Sequence, residues 1–193
     1  MTEVLLGFDA RVIPQSPAPL LRERFLLRAD VSSLLSIDSS IWPAVVDRVD
    51  RPKWIGTNDP FWEDLAKLRE HVATIAEPYW IVAATWHKTP FKKRADLPYV
   101  GPHETATDPP SRDPAWRFLG YDISDGSISG LSNCGYTVDE MLLLRPVWVP
   151  YLNGYHLFDD VDRAVEFRSL ADARVPEHAP FFIIGLWLVA TRD

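Results

Sequence analysis

Two nearly uncharged runs constrain the fold of this chain more than anything else in it. Tyr79-Trp-Ile-Val-Ala-Ala-Thr-Trp-His87 is rich in aromatic and β-branched residues, the composition of a strand buried on both faces. A second run, Phe181 to Thr191, follows Pro180 and reads as an apolar strand in the middle of the same sheet. Around them, Val4 to Ile13 alternates as a half-buried strand with Val4, Leu6, Phe8, Ala10 and Val12 on one face, until Pro14 stops it. Trp116 to Ile123 alternates in the same way, with Trp116, Phe118, Gly120 and Asp122 on one face. Asp125-Gly126 supplies a turn after it, and Ile128 to Leu131 can pair back.

Helices separate these strands. Ser16-Pro17 opens one that runs to about Asp30, and short helical turns are expected around Trp42 and Pro43. Asp59 as N-cap and Pro60 at the first position start another, with Phe61, Leu68, Val72 and Ile75 along its stripe. Thr137-Val-Asp-Glu140 has capping-box spacing for a helix through Met141 and Leu144, which Pro146 is expected to disturb. Asp159 or Asp160 begins the last one, with Val161, Ala164, Val165, Leu170 and Ala171 apolar, and it ends before Pro176. The expected fold is therefore α+β: one domain over 1–193, a mainly antiparallel sheet packed by several helices. A long Pro-rich loop is inserted at about 90–114; its six prolines and lack of apolar periodicity suit either a mobile insertion or an arm that grips a partner.

Composition narrows the class of partner. A hydrophobic share of 47% with 24% charged residues is that of a globular chain. Its formal net charge of -7 argues against binding nucleic acid through phosphates and suits a basic protein partner. The basic cluster Lys92-Lys93-Arg94 reads as the solvated flank of a loop. No membrane association is expected, because the apolar run Pro180 to Ala190 is too short to span a bilayer as a helix and lies at the wrong end for a secretory signal. A single cysteine, Cys134, cannot form an internal disulfide, so a cytoplasmic location is expected.

Trp116 to Tyr136 gathers a cysteine, two carboxylates and several glycines. Cys134 could gain thiolate character from the helix start after Thr137, with His156 or His87 as base. That gives one enzymatic reading, a small hydrolase or transferase using Cys134, His156 and Asp122. Gly130-Leu-Ser-Asn-Cys134 lacks the final glycine of a nucleophile elbow, which weakens it. Asp122 and Asp125 could act as paired carboxylates, but Asp-rich turns commonly satisfy their own backbone. The five histidines have no zinc-like spacing and there is no phosphate-binding glycine loop, so neither metal nor cofactor is expected.

The second reading is a recognition surface. Asp159, Asp160 and Asp162 are either ordinary charge at a helix start or an acidic patch for a basic partner, and Asp125 stands at a turn tip. Trp148, Tyr151, Tyr155 and Phe158 are core or anchors; of these, Trp148 and Tyr151 join the acidic residues as the expected partner-facing set.

Phe118-Leu-Gly-Tyr-Asp-Ile123 with Ser129-Gly-Leu-Ser-Asn-Cys-Gly-Tyr136, and Tyr155-His-Leu-Phe158 with Val175-Pro-Glu-His-Ala-Pro-Phe181, resemble segments of small uncharacterised bacterial proteins associated with toxin-immunity pairs. The resemblance covers about the last third of the chain and carries no site residue over. It implies a non-enzymatic, acidic binding module, an immunity protein that covers the active site of a toxin. A structural component of a bacterial or phage assembly is the third alternative.

Overall fold

The computed structural model describes residues 3–12, 62, 64–73, 78–89, 112–124, 130–131, 137–155 and 157–192. The expected helix from Ser16, the turns around Trp42, the Pro-rich loop to residue 111 and the turn at Asp125-Gly126 lie outside them. Four strands form one antiparallel sheet: β1 (Glu3–Val12), β2 (Tyr79–His87), β3 (Arg117–Ser124) and β4 (Phe182–Arg192). The order is β1-β2-β4-β3, so the two uncharged runs are hydrogen-bonded to each other at the centre. Among the described residues three helices accompany them, α1 (Leu65–Val72), α2 (Val138–Trp148) and α3 (Val161–Arg174), which makes the fold α+β. Among the described residues no helix is long and apolar enough to cross a membrane.

The strict alternation expected of the edge strands fails, and the failure has one cause. β1 carries a bulge between Leu5 and Gly7, and β3 one between Phe118 and Gly120. An extra residue reverses which face every later side chain meets. Val4 therefore pairs with Trp86 on one face while Phe8 pairs with Ala83 on the other. Likewise Phe118 pairs with Trp187, and Asp122 with Ile184 on the opposite face. Both bulges use a glycine at positive φ, Gly7 at 143° and Gly120 at 136°, a region costly for other residues.

Both faces of the central pair are covered. On one, Phe8, Ile81, Ala83 and Trp187 pack with Leu68 and Val72 of α1. Further along the same face, Ile123 and Ile183 pack with Phe167 and Ala171 of α3. The other face carries Val82, Ala84, Trp86, Ile184 and Leu186, with Leu157 and Tyr155 against it. The two edges are closed by single backbone bridges, Trp62 to Phe8 and Phe158 to Tyr121, each with two hydrogen bonds of 2.7 to 3.0 Å. Each bridge pairs one residue of its edge strand and so interrupts the row of amides that makes an edge prone to aggregation.

Two helix boundaries depart from expectation. Trp62 is extended and buried against β1, so helix α1 starts later than Pro60. Its N-cap is Asp64, whose carboxylate accepts from the amides of Ala66 and Lys67. Helix α2 does not stop at Pro146 but runs through it to Trp148 and into a 3-10 turn, Val149–Tyr151. Pro146 has no amide to offer the Leu142 carbonyl, yet Leu142 is exposed and water can take that place. The other cues hold: Thr137 and Glu140 form the capping box, and Asp160 caps α3 by accepting from Asp162. Asp172 of α3 accepts from the Phe181 amide and fixes the entry to β4.

A Cβ at Gly120 would stand 2.5 Å from the Leu157 Cβ and 3.0 Å from the Phe158 carbonyl oxygen, whereas one at Gly154 meets nothing. Gly120→Ala is expected to cost about 2–4 kcal/mol, combining strain with overpacking. Gly154→Ala should stay within about 0.5 kcal/mol. Urea denaturation of the two variants measures the difference.

Candidate functional site

The most unusual surface is on α2. Leu144 and Trp148, four residues apart, turn inward, and the Trp148 ring packs edge-on against Phe158 and Phe167. A helix with one such face normally carries polar residues on the other. Here the opposite face is apolar too. Leu143, Val147 and Tyr151 follow one another at steps of four, with Leu142 beside them, and they are 73%, 54%, 43% and 60% exposed in that order. Val149, seven residues after Leu142, is 43% exposed as well.

Acidic side chains stand at both ends of it. Asp139 and Glu140 lie in the first turn of α2, where Glu140 also pairs with Arg174 of α3. At the other end Tyr151 reaches α3 through Arg163, whose guanidinium lies 4.6 Å from the ring centroid. Asp159, Asp160 and Asp162 are exposed there and form no ion pair among the described residues. Asp159 accepts from the Asn153 side chain at 2.6 Å. Asn153 also donates to the Leu119 carbonyl and accepts from the amides of Tyr155 and Leu157, which makes it the organiser of this loop.

Of the expected partner-facing residues, the fold brings Tyr151, Asp159, Asp160 and Asp162 to this end of the ridge, while Trp148 is partly buried against the core cluster beneath it. Asp125 lies outside the described residues, as do Cys134 and His156. Asp122 is fully buried in β3 and accepts from the Ile123 amide at 2.7 Å.

A second group, in which only His87 is a candidate from the sequence alone, gathers on the sheet face between α1 and α3. The side chain of Tyr121 crosses Gly185, where a Cβ would come within 3.5 Å of its ring. Its hydroxyl donates to Glu3 Oε1 at 3.4 Å, and His87 Nδ1 is 3.8 Å from the same oxygen. Trp187 donates through its indole nitrogen to Thr85 at 3.0 Å. Arg112 covers the Trp187 ring. Glycine among bulky neighbours was the one available signal, because close approach is what a missing side chain permits. Partners from four strands and a loop have no fixed spacing that a motif could capture.

No family model matches the chain, and no curated protein or solved structure matches it either.

Burial first, then the charge and hydrogen bond of Glu3, push the Tyr121 phenol up to about 12. A group whose pKa is raised on folding lends stability that is complete below the unfolded value of 10.0 and lost as pH rises through 12. Tyr121→Phe is therefore expected to lose less stability than the wild type between about pH 9 and pH 12, read as urea midpoints across that window.

Proposed function

We propose that this chain is a non-enzymatic, acidic binding module of the immunity type, and that the exposed ridge of α2 is the surface that meets a basic partner such as a toxin domain. The ridge itself carries this reading: a helix that is apolar on two faces covers the α3 cluster with one and leaves the other for a second protein. An apolar centre anchors a complex, and charge around it steers the approach and sets which partners are rejected. Asp139 at one end and Asp159, Asp160 and Asp162 at the other supply that charge within a chain of net charge -7.

Leu142→Asp/Leu143→Asp and Asp139→Lys/Asp162→Lys alter exposed positions and should change stability by no more than about 1–2 kcal/mol. Immobilised wild-type chain is expected to retain a basic protein from its host cell extract that added salt releases. Both variants, shown folded by circular dichroism, are expected to lose it. Equal retention by all three forms overturns the assignment. So does a dimer seen by light scattering that the leucine changes dissolve, since the ridge would then be a self-association surface.

A further inference from the structure

The contact between Arg112, Trp187 and Glu3 has the composition of a receptor for a guanidinium group. Arg112 precedes β3, and its side chain is 42% exposed. The guanidinium carbon lies 3.8 Å from the centroid of the Trp187 ring, the shortest such approach described in this chain. Stacking on an indole face combined with a facing carboxylate is how proteins select arginine, because the cation is planar and weakly hydrated. Glu3 Oε2 supplies the carboxylate at 3.9 Å from Arg112 Nη1.

Everything around that pair is held independently of Arg112. The indole nitrogen of Trp187 is engaged by Thr85, which fixes the ring plane; the residue is 7% exposed, with Arg112 lying over the ring. Phe118 packs 4.6 Å from Trp187 and 4.8 Å from Tyr121, forming a wall. Tyr121 holds the other oxygen of Glu3 across the bare backbone of Gly185. The site is thus preformed in β1, β2, β3 and β4, while the cation that fills it comes from an exposed side chain. Its ion pair is longer than a hydrogen bond, and exposed pairs of that kind are weak tethers.

We propose that Trp187 and Glu3 form a guanidinium-binding site which Arg112 occupies in the free protein, and which an arginine side chain of a basic polypeptide takes over when Arg112 swings aside. This site is separate from the α2 ridge and stands or falls without it. Self-occupancy would lower the apparent affinity by the fraction of time that Arg112 is absent.

Nα-acetyl-L-arginine amide is the probe, titrated by calorimetry and by following the Trp187 indole N–H resonance in NMR spectra. Arg112→Ala is expected to bind it at least about tenfold more tightly than the wild type does. Adding Glu3→Gln to Arg112→Ala is expected to remove the gain. The uncharged citrulline analogue should not bind, and the lysine analogue should bind more weakly, since an ammonium stacks less well. Tighter binding of the blocked probe than of free L-arginine places the group on a polypeptide; the reverse order overturns that part of the assignment. No shift of the Trp187 resonance in folded Arg112→Ala, or equal binding of the citrulline analogue, overturns the site altogether. Arg112→Gln serves if the alanine variant does not fold. Unfolding of both would also overturn it, because Arg112 would then be a structural clamp.

Discussion

The structure depends on the pairing of β2 with β4. Both strands are almost without charge, and their side chains point to two faces, so burial of one face alone would leave the other in water. The fold solves this by placing them at the centre of the sheet, under α1 and α3 on one side and behind Leu157 and its neighbours on the other. β4 follows β3 in sequence but sits between β2 and β3, so the sheet is continuous only when the strand after α3 is in place.

The bulges of the edge strands then decide what the sheet displays. Gly7 and Gly120 each follow an extra residue, and the reversal of facing puts Phe118 and Tyr121 on the same side as Trp187. Without the bulge in β3, Phe118 and Tyr121 would face opposite ways and the aromatic wall beside Glu3 would not exist. The ridge on α2 arises differently. Its inner face is fixed by Trp148 and Leu144, and because the helix runs through Pro146 into the 3-10 turn, Val147 and Tyr151 extend the line that Leu143 begins.

Local chemistry was legible. The capping box at Thr137, the cap at Asp160 and the termini of β2 depend on neighbours within a few residues, and each could be recognised from spacing. The start of α1 was misjudged because Asp59-Pro60 satisfies the local rule for a helix start, while the pairing of Trp62 with Phe8 is a contact over more than fifty positions. The same distance problem hid the Glu3, Tyr121 and Trp187 group. Cys134, the candidate nucleophile of the enzymatic reading, lies outside the described residues.

The sequence by itself determined the class of fold, since uncharged β-rich runs between capped amphipathic helices leave few arrangements other than a covered sheet. It also determined the acidic balance, which is a property of composition. Tertiary structure alone decided the strand order, the facing of the edge strands and the exposure of Leu142 and Leu143. The physical reason is that exposure and facing are relations between distant segments: an apolar residue is core or contact surface according to what packs on it, and a one-residue bulge changes that outcome without changing the local pattern that announces a strand.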